Sequence, residues 1–351
     1  MEMFTYTKAT GVPQAIEGGT QAQAKFIAGG TTLLDLMKLN VERPSRLIDI
    51  NRLPLDQVEK LPDGRLKIGA LVRNSDLAHH PAVESDYSVL SQALLQGASA
   101  QLRNMATTGG NLLQRTRCMY FRNEAMACNK RSLGSGCSAI EGENRTLAIL
   151  GTSKDCIATN PSDMNVALTA LEATIHIQGA KGEREVSIAD FFLVPGSTPQ
   201  RETVLEPGEL ITAVRLPAEA ASFSAHARYV KVRERTSYAF AVVSAAAGLR
   251  IDAGSIAGAR IALGGVALKP WRARAAEAVL VGVRPDAAAF RRAAEAALAD
   301  ATPSGDNEFK IELARRIVTR ALALAAAGTQ DRVPALPASP FALVPGDIIH
   351  A

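Results

Sequence analysis

Ala28-Gly29-Gly30-Thr31-Thr32-Leu33 and, further along the chain, Thr107-Thr108-Gly109-Gly110-Asn111 are the two stretches on which the fold of this protein turns. In each, adjacent glycines release the backbone from ordinary steric limits. The first follows Lys25-Phe26-Ile27-Ala28, which reads as a strand, and opens Thr31 to Lys38, where threonine caps precede apolar residues at helical spacing. A strand, glycine turn and helix in that order expose consecutive backbone N–H groups beside the positive end of a helix, so a phosphate or pyrophosphate suits the turn. The turn has neither the Gly-Lys-Ser/Thr ending of a P-loop nor the G-x-G-x-x-G spacing of a Rossmann site, and alone it is equally a plain tight turn.

Outward from these motifs, Phe4 to Tyr6 reads as a short strand, Val12 to Glu17 as a turn or two of helix, and Arg46 to Ile50 and Leu66 to Ala70 as strands. Asn74-Ser75-Asp76 reads as the cap of a helix running to His80, and residues 85–105 are mostly helical in pattern. Residues 115–160 are poor in periodicity and rich in Arg, Asn, Gly, Ser and Cys, the pattern of a long loop held by something other than an apolar core. Ser162 to Leu171 suits a helix. Thr174 to Ile177, Glu209 to Leu216, Arg228 to Arg233, Ala239 to Ile251 and Ile256 to Leu263 are β-rich runs that suit an antiparallel sheet. Trp271 to Leu280, Asp286 to Ala299 and Asn307 to Leu324 read as helices, the last with a one-face stripe of Phe309, Leu313, Ile317, Ala321 and Leu324. The pattern predicts an α+β chain. Its parts are a cofactor-binding region over 1–220 with an insertion at about 115–160, a sheet-plus-helices domain over 221–328, and an extended, proline-containing tail over 329–351.

A length of 351 residues with 47% hydrophobic composition is enough for two or three packed units. Thirty-nine Lys+Arg against 35 Asp+Glu leave +4 without a long basic block, so no footprint for nucleic acid is visible. The start, MEMFTYTKAT, shows no basic and apolar leader, and no stretch approaches the roughly 18 apolar residues of a membrane span. No membrane association is expected. The compartment stays open, since a folded protein can be co-exported with a signal-bearing partner: periplasmic in that case, cytoplasmic otherwise. His79, His80, His176, His226 and His350 show no ligand or triad spacing, and structural or surface roles are expected of them.

All four cysteines, Cys118, Cys128, Cys137 and Cys156, lie in the irregular stretch with the spacing C-x9-C-x8-C-x18-C. Two disulfides, a zinc site of four thiolates and an iron-sulfur cluster are the readings open to them. The paired C-x2-C knuckles common in zinc sites are missing. Arg115, Arg117, Arg122, Lys130 and Arg131 lie nearby, either as a solvated basic loop or as charge that offsets a thiolate-ligated cluster.

The order of motifs, Ala-Gly-Gly-Thr-Thr-Leu at 28–33, Thr-Thr-Gly-Gly-Asn at 107–111, Pro161-Ser162-Asp163, Gly208-Glu209-Leu210-Ile211 and Lys231-Val232-Arg233, closely resembles the flavoprotein subunit of molybdenum hydroxylases. That family includes xanthine dehydrogenases, carbon monoxide dehydrogenase and bacterial aldehyde oxidoreductases, and the likeness covers about residues 1–327. It implies the two-part FAD-binding domain of the vanillyl-alcohol oxidase / PCMH type, followed by a small C-terminal domain of the CO dehydrogenase flavoprotein type. It also implies that Phe26, Ile27, Ala28, Gly29, Gly30, Thr31, Thr32 and Leu33, with Thr108, Gly109, Gly110 and Asn111, cradle the FAD pyrophosphate. By the same resemblance Asp163 contacts the ribose or adenine side, and Ile211 and Lys231 line the flavin.

The cysteine-bearing insertion is similar to that of periplasmic aldehyde oxidoreductase flavoprotein subunits, which implies a [4Fe-4S] cluster on Cys118, Cys128, Cys137 and Cys156. The partners implied are a molybdopterin-binding large subunit, a [2Fe-2S] small subunit and an external electron acceptor. The chain would then be an oxidoreductase subunit that takes electrons to FAD and passes them on, and no catalytic acid or base is demanded of it. Two other readings are a stand-alone flavin oxidase, which needs its own substrate cap and proton acceptor, and a zinc-stabilised scaffold protein without flavin.

Overall fold

The structure, a computed structural model, describes residues 1–330. Residues 331–351, with His350 and nearly all of the expected tail, lie outside the described residues.

Strands β1 (Thr5–Lys8), β2 (Ala24–Ile27) and β3 (Arg46–Asp49) form a parallel three-stranded sheet in the order β1-β3-β2. Parallel neighbours need crossover connections. Helices Val12–Gly19, with Pro13 in its first turn, and Leu33–Lys38 supply them.

A second, antiparallel sheet of five strands has the order β4-β5-β8-β6-β7, from β4 (Val58–Lys60), β5 (Leu66–Gly69), β6 (Thr174–Gly179), β7 (Gly182–Ser187) and β8 (Leu210–Leu216). Ile68, Ile175 and Val214 on its inner face share one core with Leu90, Ala93 and Leu94 of helix Ser88–Gln96 and with helix Asp163–Ala170.

The third sheet, also antiparallel, runs β12-β11-β10-β9 through β9 (Ala227–Val232), β10 (Val243–Asp252), β11 (Ser255–Gly264) and β12 (Trp271–Arg272). Along β10 the side chains alternate between two cores. Ala245, Ala247 and Leu249 pack with helices Ala287–Ala297 and Phe309–Ala326, whereas Ala246 joins the core of the second sheet. This sheet is therefore buried on both faces.

The expected α+β architecture and antiparallel sheet are found, with local differences that have physical causes. Thr108-Gly109-Gly110-Asn111 is not a turn but most of a short helix, Thr108–Leu112, capped by Thr107, whose Oγ1 accepts from the Gly110 N–H. Asn74 does not cap its helix; Arg73 precedes it and Asn74 is the first helical residue. The run Trp271 to Leu280 splits into β12, paired with Ala262 and Leu263, and helix Arg274–Ala278. The stripe on the last helix is rotated: Ala314, Ile317, Val318, Ala321 and Leu322 are buried, and so is Lys310. Strands β4 and β7 showed no apolar alternation because both are sheet edges with largely exposed side chains. In the irregular stretch the structure places one short helix, Met119–Arg122, and isolated bridges Cys128↔Cys137 and Ser153↔Cys156.

Candidate functional site

The first glycine motif leaves the end of β2 and docks directly on the segment that leads into the second. A side chain at Gly29 is impossible without movement, since its Cβ would lie 1.9 Å from the Met105 carbonyl oxygen. Gly30 follows at φ +71°, in the left-handed region that glycine tolerates without strain. Two motifs far apart in sequence thus become neighbours. The backbone N–H groups of Gly30, Thr31 and Thr32 find no acceptor among the described residues. Unpaired, adjacent N–H groups of this kind suit an anion.

The second motif uses its donors within the protein. Thr108 donates to Val72 O through both its N–H, at 2.9 Å, and its Oγ1, at 3.1 Å. The Gly109 N–H donates to Ala70 O at 2.8 Å, and the Gly110 N–H to its own cap. The first motif thus leaves consecutive N–H groups without acceptors, whereas the second engages its own within the protein. Asn111 Oδ1 instead accepts from Ser162 Oγ at 2.8 Å, which ties the helix to the Pro161-Ser162-Asp163 motif.

Two cavities, of about 600 and 720 Å³, meet at this junction and share Thr31, Thr32, Gly110, Gln114 and Asn160. The larger is walled by all of Phe26 to Leu33 and by residues 200–203 and 205–209. The smaller runs from the junction past Asn111 and Asp163 to Cys118, Arg117 and Phe240. Gln114 and Asn160 were not singled out in the sequence; their only signal is adjacency to motifs that were. Thr108, Gly109, Ile211 and Lys231 line neither cavity. Ile211 is buried in the core of the second sheet, and Lys231 stands behind Asp163, donating to its Oδ2 at 2.8 Å and to Gln96 O at 3.0 Å. Tyr229 donates its O–H to the other carboxylate oxygen, and burial together with the Asp163 charge raises that phenol well above its ordinary value. None of His79, His80, His176 and His226 lines either cavity.

All four cysteines are unbridged and line one small cavity of about 10 Å³, together with Lys130. No group of three or more His, Cys, Asp or Glu among the described residues is placed to hold a metal ion. Burial pushes the Cys156 thiol up to about 11, opposed by the nearby Lys130 charge, and raises Cys118 as well. The basic side chains around the cysteines are mostly occupied. Arg115 pairs with Glu42 and Glu202, Arg117 and Arg122 pair with Asp35, and Arg131 donates to backbone carbonyls of residues 120, 121 and 126. Lys130, its side chain fully buried, donates to Pro199 O at 2.7 Å.

The family described as FAD binding domain in molybdopterin dehydrogenase matches residues 2–219, and the one described as CO dehydrogenase flavoprotein C-terminal domain matches residues 228–325. The chain belongs to the FAD-binding subunits of the molybdopterin dehydrogenase family. Among these FAD-binding subunits, the aldehyde oxidoreductase FAD-binding subunit PaoB of Escherichia coli (strain K12) is 50% identical, over 93% of this chain and 99% of its own length. The carbon monoxide dehydrogenase medium chain of Hydrogenophaga pseudoflava is 28% identical over 90% of this chain and 93% of its own. A solved structure of carbon monoxide dehydrogenase from Hydrogenophaga pseudoflava superimposes with a TM-score of 0.72 at 29% identity, covering 93% of this chain and 98% of that one. No helix among the described residues is long and apolar enough to cross a membrane.

Proposed function

We propose that the chain is the electron-transfer flavoprotein subunit of a molybdenum-dependent aldehyde oxidoreductase. It binds FAD, takes electrons from the [2Fe-2S] clusters of a small partner subunit served by a molybdopterin-binding large subunit, and passes them to an external acceptor. The observation that carries this reading is the junction itself: two large cavities meeting at three backbone N–H groups without acceptors, in a chain of an FAD-binding family. FAD has two bulky ends joined by a pyrophosphate. The unpaired N–H groups suit the anion and the cavities suit the ends.

The smaller cavity, which reaches the cysteine-bearing loop, is assigned to the flavin ring and the larger to the adenosine. When bound, FAD supplies reversible one- and two-electron chemistry. The protein's own part is to bind and shield: Gly29 and Gly30 shape the phosphate cradle, Asn111 walls the ring cavity, Asp163 walls the same cavity rather than the ribose or adenine side that the resemblance implied, and Phe240 and Tyr238 flank it. A proton acceptor is not required for that task. Co-export with a signal-bearing partner would make the complex periplasmic.

The same reading gives Cys118, Cys128, Cys137 and Cys156 a [4Fe-4S] cluster. Its support is the donor set: four sulfurs from one insertion lining one space, three of them buried, with the buried Lys130 as the adjacent positive charge. Burial raises the thiols of Cys118 and Cys156, and binding of a cationic iron-sulfur core would deprotonate them. A four-thiolate cluster would supply one-electron relay chemistry.

The test is an absorption spectrum of the complex purified with its partners, then cofactor release and iron and sulfide assay on this separated subunit. One FAD with about four irons and four sulfides per chain is the expected result. FAD without iron would remove the cluster and leave the flavoprotein; zinc without flavin would overturn both. Turnover of an aldehyde or alcohol by the isolated chain would instead favour the stand-alone oxidase.

A further inference from the structure

We propose that Asn74 and Arg103 are further cofactor-binding residues, contacting the hydroxylated and phosphorylated stretch of the dinucleotide where the ring cavity meets the glycine motifs. The inference rests on the FAD reading above.

Asn74 is 5% exposed, lines the smaller cavity, and its Oδ1 has no hydrogen-bond partner. A buried amide oxygen left unpaired is unfavourable, and native structures rarely keep one without a role. Its position is fixed by the backbone. The Asn74 N–H donates to Ala106 O at 2.9 Å, and Arg73 bridges to Thr107, the cap of the second motif. Ala106 follows Met105, the carbonyl against which Gly29 is docked. Asn74 is therefore anchored through its backbone to the segment on which the first glycine motif docks and which leads into the second.

Arg103 lines the same cavity three residues before Ala106. Its guanidinium donates to Gly97 O at 2.7 Å, and no carboxylate pairs with it among the described residues. Of the arginines lining this cavity, Arg117 and Arg122 have carboxylate partners, whereas Arg103 and Arg235 have none among the described residues, and Arg235 bonds instead to Tyr238 O. Half-buried, it has lost part of its hydration without gaining a counter-ion, a situation suited to phosphate. Asn74 Oδ1 can only accept, which suits a hydroxyl of the ligand. An acceptor for a hydroxyl beside a cation for a phosphate matches the linker of FAD rather than either end.

In the complex with its partners, flavin-depleted and then titrated with FAD, Asn74→Ala and Arg103→Met are each expected to weaken FAD binding about tenfold or more. The midpoint potential of the flavin that remains is expected to match the parent, and Arg103→Lys to recover part of the affinity. Unchanged affinity in either variant overturns the assignment of that residue. A shifted potential with unchanged affinity also overturns it, because the contact would then be to the ring. Arg103 is only half buried, so its variants report even where Asn74→Ala fails to assemble. A parent complex that releases no FAD would remove the flavoprotein reading itself, a distinguishable failure.

Discussion

The Lys231 ammonium donates to Asp163 Oδ2 at 2.8 Å, and both side chains are buried, 1% and 7% exposed. Asp163 opens the helix Asp163–Ala170 within the first family match, and Lys231 belongs to β9 within the second. One buried ion pair thus joins the two matched stretches beneath the ring cavity. Removing either partner strands a buried charge, which typically costs about 3–5 kcal/mol. Lys231→Met and Asp163→Asn should each destabilise the chain strongly, and the double variant by less than the sum. A double-mutant cycle by urea unfolding should return a coupling of about 2 kcal/mol or more. Additivity within about 0.5 kcal/mol would show that the pair contributes nothing of its own.

Gly29 offers a sharper steric test. With its Cβ position 1.9 Å from Met105 O, Gly29→Ala must push the first motif off the segment beneath it, an overpacking expected to cost about 1–3 kcal/mol. FAD content should fall with it. Gly134 has φ +87° but nothing within 4 Å of its Cβ position, so Gly134→Ala should cost only about 1 kcal/mol and leave FAD content unchanged. Thermal unfolding with flavin release measured on the same samples separates the two cases. Equal behaviour would mean that the close approach is not what positions the cradle.

Lys310 is fully buried and donates to Thr146 O at 3.0 Å, Leu147 O at 2.8 Å and Gly265 O. All three acceptors belong to residues lining the ring cavity. Lys310→Met should lower stability by about 2–4 kcal/mol by leaving these carbonyls unpaired. Burial also brings the ammonium down to about 7. The sign follows: between about 7 and the ordinary lysine value near ~10.4 the unfolded chain binds the extra proton, so this group's contribution to stability rises with pH in that window. Denaturant unfolding at several pH values should show the parent gaining on Lys310→Met from pH 7 to 10. Parallel profiles would place the lysine's titration elsewhere.

Arg115 lies between Glu42 and Glu202, with its guanidinium over the Phe121 ring at 4.8 Å. It fastens the start of the cysteine-bearing stretch to two distant segments. Arg115→Met takes the shared cation from two carboxylates, each about one-seventh exposed, and leaves Glu42 with Lys25 at 3.6 Å and Glu202 with Lys130 at 3.5 Å, so the cost should be about 2 kcal/mol. Arg115→Lys should recover little, because a point charge cannot reproduce the two-sided fork. Thermal unfolding and limited proteolysis across residues 115–160 would read both effects; full rescue by lysine would reduce the network to simple charge.

Much of the fold was legible where burial selects apolar residues. The β-rich runs over 209–263 are largely buried, β10 on both faces, and read as apolar β segments, while the strand, glycine turn and helix at 25–38 follow local backbone rules, so each could be read from its own residues. The edge strands Val58–Lys60 and Gly182–Ser187 could not, because their side chains face solvent and only a neighbouring strand makes them β. The same holds for the site. Gly29 and Gly30 announce a special backbone, but Asn74 and Arg103 are ordinary residues in ordinary helical surroundings, and only the folded neighbourhood reveals that the Asn74 amide oxygen lacks a hydrogen-bond partner and Arg103 a counter-ion.

The sequence by itself determined the α+β class, the two glycine motifs in their order, the membership these motifs signal and the four thiols of one insertion, since all of these depend on residue identity and near-neighbour spacing. Only the tertiary structure decided which donors of those motifs stay free, that Ile211 and Lys231 stand behind the cavity walls, and that Lys310 is buried in a helix that reads as amphipathic. Those outcomes depend on acceptors and carbonyls brought in from distant segments, Ala70, Val72 and Met105 at the glycine motifs and Thr146, Leu147 and Gly265 around Lys310. Hydrogen-bond satisfaction is a property of the folded neighbourhood, and no local pattern in the chain encodes it.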